Sequence, residues 1–164
     1  MNLSAILCGA MDEQLLAEML SRDREEWARL VELLDSHPGG PVHDPESPDW
    51  EARHVYAHLA RWLNHSMDDF EAVLARRLRP APPEGDDNTV NARWKDEDDM
   101  ISLTVACDWA SAAYERRLRL IASVPPDAWT PLLDAIAEAD GYEHYVGHRQ
   151  GIEKAQSRQE GSVP

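Results

Sequence analysis

The chain has 164 residues and carries 31 acidic against 16 basic side chains, a formal charge of −15. That length supports one core without disulfides, and that charge repels phosphate backbones and anionic lipid headgroups, so it argues against nucleic acid and membrane surfaces as partners. Two cysteines, Cys8 and Cys107, make no disulfide framework, and no uncharged apolar run reaches membrane-spanning length, so a cytoplasmic protein is expected. The expected domain covers residues 1–156, with a flexible polar tail at 157–164. The apolar stretch at 3–11 has no basic residue before it and is too short for a secretory signal; it reads as a lead-in to the first helix.

The first predicted helix runs over 12–35, where Leu16, Leu20, Trp27, Leu30 and Leu34 recur at helical spacing. Asp23 occupies the one polar slot in that row, either as a stripe drifting off axis or as an acid facing the interior. Pro38 to Pro41, then Pro45 and Pro48, keep 37–48 irregular. The second helix is expected from Pro48 to about Arg77, with Ser47 as its N-cap and Asp49 and Glu51 complementing the helix dipole. Val55, Leu59, Trp62, Leu63, Phe70 and Val73 form its core stripe. His54, His58 and His65 lie along the edge of that stripe; beside Trp62, His58 is deep enough to be a ligand, whereas His54 and His65 belong farther round, in solvent or in an outer layer of the site.

Residues 79–95 read as a long proline- and charge-rich loop, a place for substrate contacts or a lid, with Trp94 near its end. The third predicted helix opens in the acidic run Asp96 to Asp99. Its expected inward row is Met100, Thr104, Cys107, Ser111, Tyr114, Leu118 and Ile121, small or polar at mid-height, which predicts either a cavity or close helix approach. The fourth helix is expected over 132–155, placing Leu133, Ala137, Asp140, His144, His148, Gly151 and Ala155 inward. His144 and His148, four residues apart, project from one face of a helix of about 3.6 residues per turn, the spacing two ligands of one metal ion need. A zincin motif is excluded, because Tyr145 stands where its glutamate would be.

Read together, Trp50-x7-His58-Leu59 and His144-x3-His148 resemble the DinB/YfiT-like superfamily, and the phrase from His144 to His148 looks most like its ClbS/DfsB and maleylpyruvate-isomerase-like branches. The resemblance implies an all-α four-helix bundle with long loops after helices one and two. It also implies that His58, His144 and His148 ligate one divalent metal, Zn2+ or Ni2+ being expected. One turn before the helix-two histidine many members carry an acidic residue; here that position is His54. Hydrolysis, or transfer or isomerisation with a low-molecular-weight thiol, of a small-molecule substrate is the implied activity, and a homodimer the implied assembly. Asp23, His54 and Asp108 are candidate proton carriers, and Trp62, Thr104, Cys107, Ser111 and Tyr114 the expected pocket lining. Two alternatives stand beside this. One is a non-catalytic bundle that binds or sequesters a ligand, as a resistance or stress protein would; the other is a hydrogen-bonded histidine cluster in a protein that acts through a partner.

Overall fold

The computed structural model describes residues 11–42, 47 and 49–160, the side chains of 158–160 excepted. Cys8 and most of the apolar lead-in, Pro45, Pro48 and the end of the tail lie outside the described residues. The chain runs α1 (Glu13–Asp35), α2 (Ala52–Leu74), α3 (Asp87–Glu97), α4 (Leu103–Ala122), a 3-10 turn (Pro126–Ala128), α5 (Pro131–Ala139) and α6 (Tyr142–Glu160). Among the described residues there is no strand; an isolated β-bridge joins Pro41 to Glu51.

Helix α1 begins where the Asp12 carboxylate accepts the Leu15 N–H at 2.8 Å, an N-cap that satisfies one orphan donor. Its buried residues, Leu20, Asp23, Trp27, Leu30 and Leu34, step by three and four along one face. Asp23 is therefore interior, and not a drift of the stripe.

Helix α2 starts later than its proline signal suggests. Ser47 does not cap it: the Ser47 carbonyl accepts the Trp50 N–H at 3.0 Å in a turn, and Glu51 is the N-cap. Its far end comes before Arg77, because Arg76 turns into the left-handed region at φ 51°. Fourteen of its 23 residues are buried, so α2 is the element the others enclose. It packs on α4 and α5, with α3 laid across it, while α1 packs on α6.

Three features depart from the sequence reading. Residues 87–97 form α3, capped by Asp86, although 87–95 are expected as loop and Asp96 and Glu97 as the opening of the next helix; its only buried residue is Val90, so no apolar stripe announces it. Helix α4 presents a face rotated by about one residue from that expected: Ala106, Ala110, Ala113, Arg117 and Ile121 point inward, Tyr114 flanks them, and Thr104 and Ser111 are exposed. Met100, expected inside, is 90% exposed. The single fourth helix is in fact two, α5 and α6, broken at Asp140 and Gly141.

Arg117 explains that break. Its guanidinium, fully buried, donates to the Asp23 carboxylate at 2.8 Å and to the Ala137 carbonyl at 2.6 Å. A Cβ at Gly141 would sit 2.7 Å from Nη2 of Arg117 and 2.9 Å from the Ala137 carbonyl oxygen, so only glycine fits beneath the arginine. The freed Gly141 carbonyl then accepts the His144 N–H at 3.0 Å and starts α6. Two apolar clusters lie on either side of this level. One holds Leu30, Leu34, Leu59, Leu63 and Ile152 with the stacked pair Trp27 and Tyr114, 4.3 Å between centroids. The other holds Leu20, Met67, Phe70, Ile121 and Leu133.

Candidate metal centre

His58 projects from the second turn of α2, and His144 and His148 from the first two turns of α6. The Nε2 atoms of His58 and His144 are 3.0 Å apart, and those of His144 and His148 are 3.2 Å apart. One ligand atom from each of the three lies within 4.8 Å of the others, close enough to hold a metal ion. A tetrahedral ion with bonds of 2.0–2.1 Å places its donors about 3.3 Å from one another, which is nearly this spread. Nitrogen lone pairs at such a separation repel unless protons or a cation lie between them. The donor set therefore fits a divalent ion of borderline softness.

The surroundings of His58 favour its neutral form. Burial pushes the pKa of His58 well below the ordinary histidine value, and the neighbouring His148 and His144 push it the same way. A neutral ring with a free lone pair is the form a ligand requires. The edge of Trp50 meets the His58 ring at 5.1 Å between centroids, so the tryptophan of the Trp50-x7-His58 spacing packs on the ligand and limits its rotation. Asp140, at the break before α6, brings Oδ1 to 3.6 Å from Nδ1 of His144. His144 and His148 are half-buried, less enclosed than the sequence reading expected, because one side of the cluster opens into a pocket.

That pocket has a volume of about 630 Å³. The three histidines line it together with Trp62, whose indole N–H donates to the side-chain Oδ1 of Asn91 at 2.9 Å. The other expected lining residues are elsewhere. Thr104 and Ser111 face solvent, Cys107 is half-buried beside Tyr56, and Tyr114 is stacked on Trp27 in the core. They share one cause: the inward face of α4 is built of alanines and an arginine, residue types that a hydrophobicity pattern does not pick out.

The candidate proton carriers are also apart from the cluster. Asp108 is exposed on α4, and Asp23 is held in the Arg117 ion pair. What the pocket holds instead is His65, Asp69, Asp87, Asn91 and Asp140. A signal for the first two exists in the sequence, since His58, Trp62, His65 and Asp69 follow at intervals of four, three and four along one face of α2. His65 thus borders the site, its ring 6.0 Å from that of Trp62.

Of the two places expected for His54, solvent or an outer layer of the site, solvent is excluded: His54 is buried and serves the backbone. Its Nδ1 accepts the N–H of Glu51 at 3.0 Å, so the ring proton resides on Nε2, which is 3.8 Å from an Asp99 oxygen. Burial lowers the His54 pKa, aided by Arg53 and Lys95 and opposed by Glu51 and Asp99. A group with a depressed folded pKa is neutral in the native state while the unfolded chain takes up a proton near pH 6.5. Stability is then fully present above about pH 6.5 and falls as the pH drops towards the folded value, by up to about 1.4 kcal/mol per pH unit for one proton. In urea titrations of metal-free protein between pH 7 and 5, His54→Gln is expected to reduce the slope and leave the part due to buried His58, because the amide can accept the Glu51 N–H yet does not titrate. An unchanged slope would show that His54 is not its source.

Comparison of the chain with protein-family models, with curated proteins and with solved structures gives no match.

Proposed function

We propose that the protein is a metal-dependent enzyme acting on a small molecule, built on a DinB/YfiT-like four-helix bundle in which His58, His144 and His148 bind one divalent ion, Zn2+ or Ni2+. The observation that carries this reading is the convergence of three Nε2 atoms, 3.0 and 3.2 Å apart, at the wall of a pocket. His58, His144 and His148 would hold the ion through their Nε2 atoms, and the chemistry it would supply when bound is a lowered pKa for water or a thiol and polarisation of an electrophile. Hydrolysis, or thiol-dependent transfer or isomerisation, is the chemistry such a site supports. The chain's own contributions are distinct. Trp50 packs on the His58 ring, Asp140 lies beside His144, Trp62 and α5 form walls of the pocket, and His65, Asp69, Asp87 and Asp140 are titratable groups within it beside the three histidines.

Purified protein is expected to retain close to one equivalent of zinc or nickel by elemental analysis, and His144→Ala to lose it. Metal-free protein that takes up none when either is added would overturn the reading. A second reading, sequestration without turnover, is favoured by one observation: none of the candidate proton carriers Asp23, His54 and Asp108 lines the pocket. Incubation with reactive electrophiles, with and without a thiol, separates the two. Many product molecules per chain support catalysis, whereas protection that stops at one equivalent supports sequestration.

A further inference from the structure

The pocket is elongated and electrically two-ended. His58, Trp62, His65 and Asp69 follow one another along α2, and eleven residues at 1.5 Å each separate the first from the last by about 16 Å. Facing this row, Leu132, Ile136 and Ala139 of α5 supply an apolar wall. The end remote from the imidazoles is acidic, where Asp69 and Asp87 outnumber the single cation, Arg79.

Asp69 is the unusual member. It is 5% exposed, its Oδ1 has no hydrogen-bond partner, and its Oδ2 accepts both Nε and Nη2 of Arg79. A buried carboxylate with one oxygen unsatisfied is a costly arrangement that a suitable donor would relieve. The arginine is poorly anchored by comparison. It belongs to the segment 75–86 between α2 and α3, it is itself exposed, and its neighbour Leu78 is 97% exposed. The Arg79 side chain is 48% exposed against 7% for Asp69, so the pair is open to water on its cationic side only.

We propose that Asp69, with Asp87 beside it, is a recognition site for a cationic nitrogen carried on an apolar body, an alkylammonium or amidinium, and that Arg79 occupies that site in the free protein and is displaced by the ligand. The inference deepens the reading of this pocket as a small-molecule site and gives its substrate class: an extended molecule with an electrophilic or metal-seeking group at one end and a basic nitrogen at the other. The apolar middle lies between Trp62 and Ile136. Attraction to a cation does not depend on bound metal, since the pocket's own charged groups, Asp69, Asp87, Asp140 and Arg79, leave it net negative.

Calorimetric titration of the full chain at pH 7 with chelator present tests this, using 4-phenylbutylamine, 4-phenylbutanoate and 4-phenylbutan-1-ol as probes. The amine is expected to bind at least about tenfold more tightly than the carboxylate, Asp69→Asn to remove that preference, and Arg79→Ala to tighten amine binding by several-fold. Equal binding of the three probes, binding of none, or preference for the carboxylate would each overturn the proposal. If Asp69→Asn fails to fold, Arg79→Ala decides alone: weaker amine binding in that variant refutes displacement. Because the titration uses metal-free protein, a chain that takes up no zinc sinks the metal reading and leaves this result standing. Zinc uptake without amine preference does the reverse.

Discussion

Arg117→Ala is expected to lower the free energy of unfolding by about 3–5 kcal/mol, among the largest effects of any single substitution in the chain. The change leaves the Asp23 carboxylate buried without its partner, removes the donor to the Ala137 carbonyl, and empties space beneath Gly141. A charge stranded at 0% exposure is the dominant cost. The double replacement Asp23→Leu with Arg117→Met should behave differently and come out near neutral, because two desolvation penalties vanish along with the attraction. The direction of the Asp23 shift agrees: burial raises its pKa despite Arg117, so desolvation outweighs the pair's attraction. Nη1 of Arg117 and the Tyr145 hydroxyl nearby add to the cost, both buried without a hydrogen-bond partner. Urea denaturation of the two single variants and the double variant checks this; a double variant as unstable as the singles would show that the pair itself holds the fold together. What the pair supplies instead is position, since it fixes where α5 ends and α6 begins.

Zinc at about a thousandfold excess over its dissociation constant is expected to stabilise the protein by about 4 kcal/mol, which for a domain of this size raises the melting temperature by about 10 °C. The effect should disappear in His148→Ala and survive in His65→Ala, which borders the same pocket without belonging to the cluster. Thermal melts with chelator and with added metal measure it. A wild-type transition that ignores both would mean that the three rings hold one another by hydrogen bonds alone.

The parts of the molecule that could be read from the chain are those in which burial follows apolar character. Leu20, Trp27, Leu30 and Leu34 mark the inner face of α1, and Val55, Leu59, Leu63 and Phe70 that of α2. The histidine spacing was legible for a geometric reason, because side chains four residues apart share a helix face. Elsewhere the interior is built of residues that carry no such mark. Alanines and Arg117 fill the inner side of α4, so the pattern there points to its neighbours Thr104, Cys107 and Ser111 instead. Helix α3 buries only Val90 and rests on polar anchors, the Trp62–Asn91 hydrogen bond and the Arg61–Asp98 ion pair, which depend on partners remote in sequence. Gly141 marks the break before α6, yet its meaning depends on the arginine pressed against it from another helix. His54 looked peripheral because its cover, Asp99, belongs to the connection between α3 and α4.

The two nitrogens that meet at 3.0 Å belong to His58 and His144, 86 residues apart in the chain. No local stretch of polypeptide can bring them together, and the entropy of closing so long a loop has to be overcome by docking of α6 before an ion finds all three donors. An ion that bound there would join late and would stabilise the native basin more than the transition state that leads to it. Its effect is then to slow the escape from the folded state and leave the rate of arrival nearly unchanged, which makes the occupied protein long-lived.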